Sequence, residues 1–87
     1  MFIVYSMDGC NYCDKVKQLM ELTKQTHVVY TLGQHFSIEA FEDEFGTKQF
    51  PQVVVDVKEK DERKVIGGAS ELAQYFKEHS HCYLHLS

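Results

Sequence analysis

Hydrophobic periodicity in this 87-residue chain predicts an α/β fold: a four-stranded mixed sheet with three helices, in the order β-α-β-α-β-β-α. Three observations carry that prediction. Short strand-like apolar runs, such as Phe2-Ile3-Val4-Tyr5 and Val53-Val54-Val55, alternate with stretches of helical spacing. Cap and stop residues punctuate the chain, with Ser37 and Gly46 around one helix and Gly67-Gly68-Ala69-Ser70 ahead of another. A charged segment between the last two β runs reads as a hairpin turn.

Taken in order, strand one spans about 2–6 and is a buried run. Helix one, about 11–24, places Val16, Leu19, Met20 and Thr23 at helical spacing. His27-Val28-Val29-Tyr30-Thr31 is rich in β-formers and is the second strand. Gly33-Gln34-His35-Phe36 makes a turn. Ser37 caps helix two, which sets Ile38, Phe41 and Phe45 on one face and stops at Gly46. Thr47 to Phe50 is a loop ending at Pro51, the only proline. Val53, Val54, Val55 and Val57 form strand three, Lys58 to Arg63 the hairpin turn, and Lys64-Val65-Ile66 the last strand. The signs of the charges alternate through 58–63, so a solvated hairpin explains them without a binding patch. Gly67-Gly68 breaks the strand, and Ser70 caps helix three, in which Leu72, Ala73 and Phe76 face inward. The first two strands pair in parallel through a helical crossover, the last two add an antiparallel hairpin, and helices cover both faces.

Bulk properties narrow the function. A length of 87 residues and 44% hydrophobic content suit one compact domain, with a core at about 2–78 and a tail at 79–87. The formal charge of −4 gives no electrostatic reason to expect nucleic acid or an anionic membrane as partner. No apolar run approaches the length of a membrane span, and no signal-type segment precedes the first strand. A cytoplasmic, reducing location is expected. There a close cysteine pair is catalytic or metal-binding more often than a permanent staple, and a total of three cysteines argues against a closed disulfide framework.

That pair is Cys10-Asn11-Tyr12-Cys13, at the junction of strand one and helix one. Two thiols three residues apart at a helix start share one side of the first turn, where they can meet as a disulfide. The helix N-terminus carries partial positive charge and unpaired N–H donors, which favour a thiolate over a thiol. This is the physics of a thiol–disulfide exchange site. Half of a structural zinc site has the same spacing, but tetrahedral zinc wants a second close pair. The other candidate ligands are Cys82 with His79, His81 and His85 in the tail, and nothing in their spacing calls for such a site. No metal is expected. The tail reads as a frayed end or a short packed extension, and Cys82 as a bystander or a point of oxidative dimer formation.

With these motifs in place, the chain resembles the glutaredoxins of the thioredoxin superfamily over roughly residues 2–78. The resemblance rests on three motifs in order: the CxYC of Cys10-Asn11-Tyr12-Cys13; Gln49-Phe50-Pro51 before the third strand, where the family typically has Thr-Val-Pro; and Gly67-Gly68-Ala69-Ser70 ahead of the last helix. The short length is similar to that of the smallest dithiol members, from bacteria and their phages. The resemblance implies a thioredoxin-like fold and a monomeric reductant of protein or mixed disulfides that uses glutathione as co-substrate. A ribonucleotide reductase is the client it suggests.

It further implies that Cys10 is the nucleophile and Cys13 the resolving thiol, with glutathione able to resolve the mixed disulfide instead. Pro51 is expected to be cis and to face the CxxC, leaving the Phe50 backbone to pair with glutathione like a short added strand. A trans proline that merely opens a strand is the plainer alternative. The start of helix three, Gly68, Ala69 and Ser70, is expected to take the γ-glutamyl carboxylate, Lys48 the glycyl carboxylate, and Tyr12 to flank the ligand. For each, an ordinary structural role remains open.

The chain departs from the family at three places. Asn11 replaces the usual proline between the cysteines. Members without that proline include some that bind an iron–sulfur cluster with glutathione, so cluster binding stays open, as does a thioredoxin-like reductant recycled by a flavoprotein reductase. Met7-Asp8 stands where a basic residue is common, which predicts a less acidic Cys10 than in typical members. Phe50 in place of valine is expected to reshape the groove.

Overall fold

The computed structural model describes residues 1–57 and 62–78. Their elements run β1 (Phe2–Ser6), α1 (Asn11–Leu22), β2 (His27–Thr31), α2 (Ile38–Phe45), β3 (Gln52–Val57), β4 (Glu62–Gly67) and α3 (Ala69–Glu78). The order is the one expected, and the sheet order is β2-β1-β3-β4. Strand β1 pairs in parallel with β2 and antiparallel with β3, and β3 pairs antiparallel with β4.

The alternation of side chains along β1 divides the core in two. Phe2 and Val4 point to one face, where they pack with Val16 and Met20 of α1, Val53 and Val55 of β3, and Leu72 and Phe76 of α3. Ile3 and Tyr5 point to the other, against Val54, Phe41 of α2, and the partly buried Phe36, Phe45 and Phe50. The first face is largely aliphatic. The second is an aromatic stack in which Phe41 lies 4.3 Å from Phe50, 4.7 Å from Phe45 and 5.6 Å from Phe36, centroid to centroid.

Helix α2 forms as its caps dictate. The Ser37 hydroxyl accepts from the Ala40 N–H, and Gly46 closes the helix at φ 71°, a left-handed conformation that costs glycine little. Four expectations are corrected. Helix α1 ends at Leu22, not near 24, because the Thr23 hydroxyl donates back to the Leu19 carbonyl at 2.8 Å and Lys24 turns left-handed at φ 56°. Glu62 and Arg63, expected in the hairpin turn, belong to β4. There the Arg63 guanidinium donates to the Tyr5 hydroxyl at 2.8 Å and sits 3.6 Å from the Glu44 carboxylate, so this member of the charge run ties β4 to the aromatic face. Ser70 does not cap α3: the Leu72 N–H bonds to the Gly68 carbonyl at 2.9 Å, which puts Gly68 at the cap and Ser70 inside the first turn. Ala73, expected to face inward, is exposed. The remaining hairpin residues, 58–61, and the tail with Cys82 lie outside the described residues, as do the expectations made for them.

Candidate active site

Strand β1 delivers the chain to an exposed turn at Met7, Asp8 and Gly9, and Cys10 follows as the N-cap of α1, with extended backbone angles (φ −99°, ψ 109°). Its sulfur takes the place an Asp or Ser oxygen has in an ordinary cap and accepts the Cys13 N–H at 3.1 Å. Cys10 and Cys13 are joined by a disulfide, their Cα atoms 5.2 Å apart. The two sulfurs differ in environment. Cys13 is fully buried, one turn into the helix, beside Val16. Cys10 is half-buried and therefore the one that solvent and a substrate can reach.

Beside this tip runs a groove of about 230 Å³. It is lined by Tyr12 of α1, by Gln49 to Gln52 and by Gly67 to Glu71. The Phe50–Pro51 peptide is cis. Of the residues singled out in the sequence, Tyr12, Phe50, Pro51, Gly68, Ala69 and Ser70 line this one groove, although 56 residues of sequence separate Tyr12 from Gly68. Lys48 does not line it. Its ammonium lies 3.8 Å from the Glu42 carboxylate on the flank of α2, an exposed pair, and Gln49 faces the groove instead. The Phe50 ring is held from behind by the stack on Phe41 and Phe36, so the residue fastens the loop to the aromatic face while its other side borders the groove.

Sequence reasoning missed Gln49, Gln52 and, above all, Glu71. The Glu71 carboxylate accepts the Gly68 N–H at 2.8 Å, the return half of a capping box, with the acid at the third helical position. The signal was present in the spacing Gly68-Ala69-Ser70-Glu71. The carboxylate needs glycine at 67: a Cβ there would stand 2.8 Å from the Glu71 Cγ, at a φ of 122°. Among the described lining residues, Glu71 is the one acidic side chain, and none is basic. The α3 N-terminus thus presents amide donors and a carboxylate side by side.

A half-exposed sulfur bonded to a buried one, at the tip of a helix and beside a groove, can exchange disulfides. The Cys10–Cys13 bond stores two electron equivalents, and opening it needs access to one sulfur only. Among known proteins, the sequence profile of the glutaredoxins matches residues 2–59. No curated protein sequence matches the chain. Solved structures that share the fold include three glutaredoxins. Glutaredoxin 1 from Francisella tularensis, complexed with cacodylate, superposes with a TM-score of 0.68 at 22% identity, covering 90% of this chain and 93% of that one. The buckwheat glutaredoxin–glutathione complex gives 0.72 at 22% identity over 90% and 69% of the two chains. The holo form of glutaredoxin C1 from Populus tremula × tremuloides gives 0.70 at 23% identity over 90% and 68%. No helix among the described residues is long and apolar enough to cross a membrane. Since the matched profile covers well over half of its length and spans the cysteine pair, the chain belongs to the glutaredoxin family and is a thiol–disulfide oxidoreductase.

Proposed function

We propose that this oxidoreductase reduces protein and mixed disulfides with glutathione as its reductant, with Cys10 as nucleophile and Cys13 as resolving thiol. The observation that carries the reading is the pairing of a reachable Cys10 with a buried Cys13 next to a peptide-sized groove. In the reduced protein the Cys13 N–H that bonds Cys10 and the partial positive charge of the α1 terminus both favour the Cys10 thiolate. That thiolate attacks one sulfur of the substrate disulfide, the other sulfur leaves as thiolate, and a mixed disulfide remains on Cys10. Cys13 then displaces the substrate from Cys10 and regenerates the disulfide seen here. One glutathione thiolate reopens that disulfide at Cys10, and a second attacks the resulting mixed disulfide. Oxidised glutathione leaves, and the protein dithiol is restored.

The groove suits glutathione at its γ-glutamyl end. That end is a zwitterion: its carboxylate would take the Ala69 and Ser70 amides of the α3 terminus and its ammonium the Glu71 carboxylate. Strand β3 begins at Gln52, so the Phe50 backbone precedes the ladder and is available to an extended ligand. Tyr12, 60% exposed, flanks the same space. Glutathione occupies the buckwheat relative, which has the same fold. The whole chain acts as one monomeric redox domain of the cytoplasm, and a ribonucleotide reductase is a client of the kind the family resemblance suggests.

The test is a coupled assay of hydroxyethyl disulfide with glutathione and glutathione reductase, run beside one in which a flavoprotein thioredoxin reductase replaces both. Turnover in the first and not the second is expected. The reverse would make the protein a thioredoxin-type reductant, and a coloured dimer holding iron and glutathione would make it a cluster protein.

A further inference from the structure

We infer that a second, apolar groove between α1 and α3 docks the polypeptide of disulfide clients, taking a bulky apolar side chain with an adjacent carboxylate four or five residues from the client's reactive cysteine. This rests on the reading that proteins are among the substrates. The groove has a volume of about 400 Å³ and is lined chiefly by Tyr12, Lys15, Leu19 and Leu22 of α1 and Ala69 and Ala73 of α3. Ala69 and Ala73 stand one turn apart, so small side chains leave the space between the helices open. Leu22 is 75% exposed and Tyr12 60%. A single exposed leucine calls for no explanation, but Leu22 is not single: it shares one concavity with Tyr12 and Leu19.

Two features choose the occupant. The first is continuity. Tyr12, Ala69 and Ser70 line both this groove and the one beside Cys10, so a chain whose disulfide is at Cys10 leads into it past Tyr12. From Cys10 to Leu22 is twelve residues of helix, roughly 18 Å, which about five extended residues would span. Glutathione, a tripeptide, is too short to fill both. The second is charge. Lys15 is the one charged residue among the lining, its ammonium 5.1 Å above the Tyr12 ring, in a chain of net charge −4. A client carboxylate meets attraction here while the protein as a whole repels it.

The experiment mixes the reduced protein with heptapeptide mixed disulfides of nitrothiobenzoate and follows released nitrothiobenzoate in a stopped-flow instrument. Only the phase lost in Cys10→Ser is counted. Glutathione takes no part, so failure of the glutathione reading would show in the coupled assay and leave this result standing. Peptides with Leu-Glu placed five residues before or after the cysteine are compared with Ser-Gln peptides. In at least one placement the Leu-Glu peptide should react about tenfold faster, the scale of burying much of one leucine. Leu22→Glu should remove most of that advantage and Lys15→Gln about half, on a logarithmic scale, while both variants leave hydroxyethyl disulfide turnover unchanged. Equal rates for the Leu-Glu and Ser-Gln peptides in both placements would overturn the inference. So would a rate advantage that Leu22→Glu leaves intact, or a dimer in sedimentation that Leu22→Glu dissociates without any change in peptide rates.

Discussion

Two helix N-termini border the groove, and the same backbone feature serves different chemistry at each. At α1 the cap is a sulfur: Cys10 accepts the Cys13 N–H at 3.1 Å. At α3 the cap is a glycine, and the Glu71 carboxylate reaches back to the Gly68 N–H at 2.8 Å. A helix terminus amounts to roughly half a positive charge. At α1 that charge is left to Cys10, whose thiolate it favours once the disulfide is reduced, which is the arrangement the proposed electron transfer needs. At α3 a full carboxylate outweighs it, so a lone anion gains little there and a zwitterion gains at both of its charges. The difference separates reactivity from recognition: substitutions at the first terminus should change the rate of chemistry, and those at the second should change affinity.

The sharpest break in this division would come from the cysteines. Cys10→Ser should lower turnover by more than about a thousandfold, because it removes the proposed nucleophile. Cys13→Ser should keep activity on glutathione mixed disulfides, where glutathione resolves the intermediate, and lose it on protein disulfides. Next in size is Gly67→Ala. The added Cβ meets the Glu71 side chain at a φ of 122°, so denaturant titration should show a loss of about 1–3 kcal/mol. The glutathione KM should rise with it. Glu71→Gln retains a hydrogen-bond acceptor and removes the charge; steady-state kinetics should give a KM for glutathione raised by about fivefold at constant kcat, the scale of one exposed charge-assisted bond. Lys48→Ala should be the smallest, at most about a twofold change in KM, since its exposed pairing with Glu42 lies outside the groove. A fall in kcat for Glu71→Gln, with KM unchanged, would erase the distinction between the two ends.

The sequence was most legible where local chemistry decides the backbone. Ser37 and Gly46 bracket α2 as read because a hydroxyl cap and a left-handed stop act within a few residues. Strands β1 and β2 have the expected bounds because each β-rich run gives way within two residues to a turn, at Asp8-Gly9 after β1 and at Gly33-Gln34 after β2. The first cysteine motif, the proline and the Gly-Gly pair were each visible, and the fold brings their neighbourhoods to one groove. What escaped depends on partners far along the chain. Arg63 looks like part of a solvated charge run until Tyr5, 58 residues away, supplies an acceptor. Ala73 fits the inward period of α3, but α1 and α3 leave a gap at that point. Lys48 and Gln49 are neighbours, and only the path of the loop beneath Phe41 decides which of them borders the groove. Glu71 was within reach of local reasoning: its spacing from Gly68 is that of a capping box, and weighing it would have moved the cap from Ser70.

The account stands on the contrast between a reachable Cys10 and a buried Cys13. Timed alkylation of the fully reduced protein with iodoacetamide, mapped by peptide mass spectrometry across pH, measures that contrast at both sulfurs. Cys10 should be labelled first by at least about tenfold, with a midpoint below that of an ordinary thiol near 8.5 yet above the roughly 3.5–4 of the most acidified cysteines, since Met7 and Asp8 bring no cation to it. Labelling of Cys13 ahead of Cys10, or equal rates at the two, would contradict the account.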